Sequence, residues 1–325
     1  MKYLKKTVLS SGPWFLSKNH SQKLSSLSHL RFANGSKKDL LEKIPDANVL
    51  LHNSDIKLTK EIINHAPNLQ GIVFLSVGYD GIDLNAVSEK GISVSHTPGA
   101  NSIAVAEFTF NLLLNLVRQT HIISQKTQAS QSWESIWKEH VGTELNNKTI
   151  GIIGFGEIGR KVGNIAHAFG MKILVYDPYI NLKSSKFTFT DLHSLLKTCD
   201  VITIHVPLNS DTQNLLGKNE LNLMKKNSLL INASRGNIID EESLITLLKE
   251  KKISAALDVF SKEPLPPKNE FIKLDNVILT PHIAWNTYEA IENTDNVAID
   301  EIILILKNQF PKYTTSATIY IYNSR

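Results

Sequence analysis

Three glycines and a carboxylate mark the first place where this chain can do chemistry. Gly154, Phe155, Gly156, Glu157, Ile158 and Gly159 form a G-x-G-x-x-G run, and Asp177 lies eighteen positions past the last glycine. The run follows an apolar stretch, 150–153, and precedes a segment in which Ile158, Val162, Ile165, Ala166 and Phe169 recur at helical spacing. Glycines placed between a buried strand and a helix make a cradle for a dinucleotide. Gly154 permits the tight turn, Gly156 lets backbone approach a pyrophosphate, and Gly159 lets helix and strand pack closely. The N–H groups at the helix start then face the phosphates, and the helix dipole favours their negative charge. Asp177 ends the next strand, 172–176, where it can accept hydrogen bonds from ribose hydroxyls and would repel a 2′-phosphate. No arginine follows it in 178–185, although Lys183 is near. The pattern predicts NAD in preference to NADP.

Two further side chains sit where ligands bind in α/β proteins, at the carboxyl ends of strands. Arg235 stands between Ser234 and Gly236, just past the apolar run 228–232. Its planar fork of donors matches a carboxylate. His282 follows Pro281 after the run 277–280, and an imidazole titrating near neutrality suits general acid–base work. His205 ends another strand and either lines the cofactor cleft or serves the fold. His52 and His96 end strands in the first hundred residues; they are read as packing or surface residues, though either can face a substrate.

The elements that must position these groups alternate along the chain. Strands are expected at 48–52, 71–77 and 92–95, with helical pieces at 59–65 and 85–90 and a long helix over 101–124. That helix would bury Ile103, Phe108, Leu112, Leu113 and Val117. A polar stretch, 125–143, holds Trp133 and Trp137. Six more strands follow, at 149–153, 172–176, 201–206, 228–232, 255–259 and 277–280, with a helix over 241–251 capped by Asp240 and a last helix over 287–306. Strands alternating with helices imply parallel sheets, and six of this kind make a doubly wound one. The tail 313–325, with Ile319, Tyr320, Ile321 and Tyr322, is open between an edge strand and a disordered end.

Beyond the glycine run, several strings follow one another: SVGYDGID at 76–83, HVPL at 205–208 with Thr212, NASRG at 232–236, ALDVFSKEP at 256–264 and TPHIAW at 280–285. In order and spacing they resemble the D-2-hydroxyacid dehydrogenase family, over about 48–290. The resemblance implies an α/β fold in which a Rossmann-type NAD domain, 100–283, is inserted into a smaller flavodoxin-like α/β domain built from 1–99 and 284–325. It implies NAD-dependent hydride transfer between a D-2-hydroxy acid and its 2-keto acid. By motif match the catalytic set falls on Arg235, Glu263 and His282. Arg235 would hold the carboxylate and polarise the keto oxygen, His282 would supply the proton, and Glu263 would orient the imidazole and favour its protonated form. The backbone at Ser76, Val77 and Gly78 would bind the substrate carboxylate. His205, Val206, Pro207, Thr212, Ala233, Ser234, Asp258 and Ala284 join the cofactor contacts, Asp258 at the nicotinamide amide, and Arg235 and His282 serve both cofactor and substrate. Family members pair through the region that here holds Trp133 and Trp137, so a homodimer is expected.

Two departures bear on the substrate. Asn53 stands where many phosphoglycerate dehydrogenases carry an arginine for the phosphate, although Lys57 is near. Ile283-Ala284-Trp285 with Glu289-Ala290 looks more like the glyoxylate and hydroxypyruvate members. A small unphosphorylated acid is therefore expected. The alternatives are a short D-3-phosphoglycerate dehydrogenase and, in another class, an NAD-sensing corepressor-like binding protein.

Composition narrows the remaining classes. The chain has 325 residues, enough for two domains, and its net charge of +4 is spread over lysine pairs such as Lys37-Lys38 and Lys225-Lys226, which excludes a nucleic-acid surface as its main feature. The longest mainly apolar segment, 108–117, is interrupted by Thr109, Asn111 and Asn115 and is too short for a membrane span. The apolar stretch after the basic N-terminus is too brief for a signal-peptide core. The single cysteine, Cys199, reads as a small buried residue. No metal site is expected, and a cytoplasmic location is.

Overall fold

The alternation of apolar runs and helices holds throughout the computed structural model, which describes residues 6–12, 16–180 and 184–314. Its elements are β1 (Thr7–Ser10), α1 (Lys18–Leu27), β2 (His29–Phe32), α2 (Lys37–Lys43), β3 (Val49–His52), α3 (Lys60–Asn64), β4 (Gly71–Phe74), α4 (Leu84–Glu89), β5 (Ser93–Ser95), α5 (Ser102–Arg118), α6 (Thr120–Gln128), α7 (Trp133–Glu139), β6 (Thr149–Ile153), α8 (Glu157–Ala168), β7 (Lys172–Tyr176), β8 (Thr188–Phe189), α9 (Leu192–Thr198), β9 (Val201–Ile204), α10 (Lys218–Leu223), β10 (Leu229–Asn232), α11 (Glu241–Lys249), β11 (Ser254–Leu257), β12 (Val277–Leu279) and α12 (Tyr288–Leu306). They divide into two units, Met1–Asn101 with Thr287–Arg325, and Ser102–Asn286. Among the described residues no helix is long and apolar enough to cross a membrane.

The first unit is a parallel sheet in the order β2-β1-β3-β4-β5, the flavodoxin-like order. Parallel strands need cover on both faces, and alternate residues supply it. Leu50 of β3 joins Leu40, Ile62 and Ile72 on one side. Val49 and Leu51 join Ala298 and Ile302 of α12 on the other. Pattern reading finds β3, β4 and β5 but not β1, β2, α1 or α2. The two missed strands are four residues each, and α1 buries only Leu24, so neither carries a period long enough to detect. Thr314 forms an isolated antiparallel bridge with Ser95. The rest of the tail, 315–325, lies outside the described residues, as does Lys183.

The second unit is a parallel sheet in the order β12-β11-β10-β9-β6-β7-β8, the doubly wound arrangement, with β8 added as an edge. Ile150 and Ile152 of β6 pack with Leu112, Leu113, Val162 and Ala166. Ile153 faces the opposite core with Leu195, Leu221 and Leu244. Strand order reverses between β6 and β9, which makes their carboxyl ends the switch point where such sheets bind ligands. The long helix expected over 101–124 is two helices, because Gln119 adopts a left-handed conformation, φ 50°. Ile103 is 60% exposed rather than buried; Val105 and Phe110 take its place on the inner face, together with Leu112 and Leu113. Asp240 precedes α11 as expected, but its carboxylate accepts the Ser243 hydroxyl and makes no cap bond to a helix amide. Cys199 is buried, and burial, with the Asp200 charge, pushes its thiol up to about 12.

Candidate active site

The glycine loop begins where β6 ends. Gly154 has φ 92°, and a Cβ there would lie 2.7 Å from the carbonyl oxygen of His205, so only glycine lets the ends of β6 and β9 meet. A Cβ on Gly159 would lie 2.1 Å from Gly154 O, which is why α8 can start so close beneath the loop. Gly156 caps α8 and is the opposite case: nothing lies within 4 Å of where its Cβ would stand. Ligand atoms can therefore approach the first amides of α8, at Glu157 and Ile158, without obstruction. Phe155 is buried edge-on to Phe187 and Phe189, while its N–H donates to Asp177 Oδ2 at 2.8 Å. The Tyr179 N–H donates to Oδ1 at 2.9 Å. Asp177 is thus fixed beside the loop with acceptor capacity left over. An open backbone cradle with a fixed carboxylate beside it fits a dinucleotide.

The loop after β9 carries His205, whose Nε2 pairs with Thr203 Oγ1 at 2.9 Å. Its Nδ1 is buried and has no partner among the described residues, and burial pushes its pKa down to about 3. An unmet buried ring nitrogen at the switch point suits a ligand contact. Val206 accepts the Ser234 hydroxyl through its carbonyl, which ties this loop to the one after β10. Pro207 accepts the Thr212 hydroxyl at 2.5 Å, so Thr212 closes its own loop.

Beyond β10, Asn232 acts as a brace. Its Nδ2 donates to Arg235 O at 2.9 Å and its Oδ1 accepts from Ser234 N at 3.0 Å. This buried amide escapes pattern reading; the signal was a polar residue closing an apolar run. Ala233 is half-buried between them. Arg235 Nη1 donates to Ser234 O at 2.8 Å. A Cβ on Gly236 would lie 1.9 Å from the carbonyl carbon of Phe260, so the turns after β10 and β11 are in backbone contact.

The turn after β11 and the loop after β12 hold the acid–base pair. His282 Nδ1 meets Glu263 Oε2 at 2.7 Å. The carboxylate can only accept, so Nδ1 carries the hydrogen and Nε2 is left for proton transfer. Partial burial works to raise the Glu263 pKa. The bond to His282, the Phe260 N–H and the charges of His282 and Arg235 outweigh it, and the carboxyl titrates below its usual range. Arg235, Glu263 and His282 are therefore electrostatic neighbours. His282 itself has φ 54°. Asp258, fully buried, holds it there: Oδ1 accepts Thr280 Oγ1 at 2.6 Å and Ile283 N at 2.9 Å, Oδ2 accepts Ala284 N at 2.9 Å, and Asp258 O accepts His282 N at 2.8 Å. Bracing this loop is the role the geometry gives Asp258; a cofactor contact for it rests on resemblance alone.

In the first unit, the carbonyls of Ser76, Val77 and Gly78 are all occupied, by Thr97 N at 3.0 Å, His96 Nδ1 at 2.8 Å and Ser76 Oγ at 2.7 Å. These bonds use the carbonyls of the loop and not its amides. His52 is buried against Phe74, bonded to Ser11 Oγ, and pushed down to about 4 by burial, so it is a neutral packing residue. Asn53 Oδ1 accepts Gly12 N at 2.8 Å and the hydroxyls of Ser10 and Ser11. Asn101 Oδ1, which sequence reading passes over, is buried without a partner among the described residues.

A family model described as the D-isomer specific 2-hydroxyacid dehydrogenase NAD binding domain matches residues 110–284, more than half of the chain. The chain belongs to that family. The matched stretch takes in the glycine loop, Asp177, Arg235, Glu263 and His282. The chain is 42% identical to a D-3-phosphoglycerate dehydrogenase of Methanocaldococcus jannaschii over 88% of its length, but spans only 55% of that relative. It is 40% identical to a glyoxylate reductase of Thermofilum pendens, covering 85% of this chain and 83% of the relative. Among solved structures it resembles an acyclic imino acid reductase in complex with NADPH and D-Arg, with TM-score 0.88, 30% identity, and 95% and 99% of the two chains covered.

Proposed function

We propose that this D-2-hydroxyacid dehydrogenase interconverts a small, unphosphorylated D-2-hydroxy acid and its 2-keto acid with NAD. The observation that carries the reading is the 2.7 Å pair of His282 Nδ1 and Glu263 Oε2 in the field of Arg235. The nicotinamide cofactor, when bound, supplies the hydride in reduction and takes it in oxidation. Arg235 holds the substrate carboxylate and polarises the keto oxygen through its fork of donors. His282 Nε2 gives the proton to that oxygen, and Glu263 keeps the imidazole in the tautomer that can do so. In oxidation the same nitrogen takes the proton.

Asp177 supports NAD, since a fixed carboxylate accepts from ribose hydroxyls and repels a 2′-phosphate. Asn53 supports an unphosphorylated substrate. Its amide is committed to the loop at Gly12, and it brings no charge to compensate a phosphate. One assay tests both points: kcat/KM for glyoxylate, hydroxypyruvate and 3-phosphohydroxypyruvate, each with NADH and NADPH. NADH is expected to be favoured by at least about tenfold, or ~1.4 kcal/mol, and the unphosphorylated acids over the phosphorylated one. Equal use of NADPH overturns the cofactor reading. A tenfold preference for the phosphorylated acid, with Lys57 then the candidate partner, overturns the substrate reading. NADH binding with no turnover on any of the three supports the corepressor-like alternative.

Trp133 and Trp137, 66% and 68% exposed, stand four residues apart on α7 with their ring centroids 6.4 Å apart. Large exposed aromatics in a polar segment fit an interface core, and we assign it to a second copy of this chain. Light scattering at micromolar concentration is expected to give a homodimer, and a monomer would remove the assignment. The lone buried Cys199 fits a reducing, cytoplasmic setting.

A further inference from the structure

The turn that carries Glu263 stands at the surface, tied to itself by the bond from Phe260 N to Glu263. Phe260 is buried, but Ser261, Lys262, Glu263 and Pro264 are all exposed. Glu241, the first residue of α11, reaches back to this turn. Its Oε1 accepts Ser261 N and its Oε2 accepts Ser261 Oγ, each at 2.6 Å. Two residues further on, Glu263 Oε1 accepts Phe260 N at 2.9 Å and Oε2 meets His282. An acid in the first turn of a helix is ordinarily explained by the dipole. Here both oxygens are turned onto another segment, and short charge-assisted bonds to two donors of one residue are strong and directional.

We infer that Glu241 is a positioning residue for the acid–base pair: its carboxylate fixes Ser261, and through that residue the place of Glu263 against His282. α11 begins just past Arg235 and Gly236, and Gly236 already touches the Phe260–Ser261 backbone. Glu241 therefore joins the arm that carries Arg235 to the turn that carries Glu263. This inference rests on the proposed roles of Glu263 and His282.

The test compares Glu241→Ala, Glu241→Gln, Ser261→Ala and Glu263→Gln, with the Glu241→Ala/Glu263→Gln double variant, in the full-length protein. Read-outs are kcat for glyoxylate or hydroxypyruvate reduction, its pH profile, NADH Kd and Tm. Glu241→Ala is expected to lower kcat by about tenfold with NADH Kd within about twofold, and to move the alkaline limb toward that of Glu263→Gln. In the Glu263→Gln background it is expected to change kcat by less than about twofold, because coupled residues are non-additive. Ser261→Ala, which keeps the backbone bond, is expected to lower kcat by about two- to threefold and serves if Glu241→Ala does not fold. Unchanged kcat and pH profile in folded Glu241→Ala, or in Ser261→Ala where that variant stands in, overturns the inference, as does a fully multiplicative double variant. If Glu263→Gln itself has normal kcat, the functional reading fails instead.

Discussion

His282→Ala lowers kcat for keto-acid reduction by roughly 10²–10⁴, the range for loss of a general acid, while NADH affinity stays within about twofold. Asp258 and its backbone carbonyl hold the loop through main-chain donors and Thr280, so removing the imidazole leaves the loop in place. What disappears is Nε2, the atom free to give a proton. Glu263→Gln probes the same pair by charge. The Glu263 carboxyl titrates below its usual range, so it is ionised across neutral pH and cannot itself produce an alkaline limb there. A neutral amide no longer favours a charged imidazole, and the alkaline limb of reduction moves to lower pH. Steady-state kinetics from pH 5 to 10 with fluorescence titration of NADH checks both, and a His282→Ala enzyme with near-normal kcat would remove this residue from the mechanism.

Arg235→Gln lowers kcat/KM by roughly 10²–10³. The figure follows from two charge-assisted hydrogen bonds to a carboxylate at ~1.5–2 kcal/mol each. Part of the loss appears as a higher KM, since the carboxylate is held before as well as during reaction, and part in kcat, since the same fork polarises the keto oxygen. Arg235→Lys restores charge without the planar fork and falls between. The loop is held by Asn232 at the Arg235 carbonyl and by the Gly236 contact, so the side chain can be changed without unlocking the backbone. The measurement is kcat and KM for all three enzymes with one keto acid. A Gln variant matching wild type in both would mean that another group binds the carboxylate.

Those two residues are legible in sequence because their signals are local. An arginine before glycine past an apolar run, or a histidine after proline at a strand end, can be seen in five residues. The glycine loop is legible for the same reason, because strand, turn and helix are consecutive. What holds these groups is not legible. Asp258 meets Ile283 across 25 positions and Glu241 meets Ser261 across 20, and nothing in either neighbourhood announces the partner. In the first unit, β1 and β2 stay hidden because four residues carry too little alternation. The break at Gln119 is hidden because glutamine is neither a helix breaker nor a preferred left-handed residue. Ile103 is an apolar residue that the helix turns outward, which hydrophobicity alone cannot foresee.

The left-handed backbone at His282 reaches beyond catalysis. An L-residue held there costs on the order of 1–2 kcal/mol, whereas glycine adopts it freely. Selection for stability alone would therefore favour glycine here, so the imidazole is kept against a backbone cost. In descendants of such a chain that keep the fold for binding alone, position 282 is where the release of that constraint is recorded.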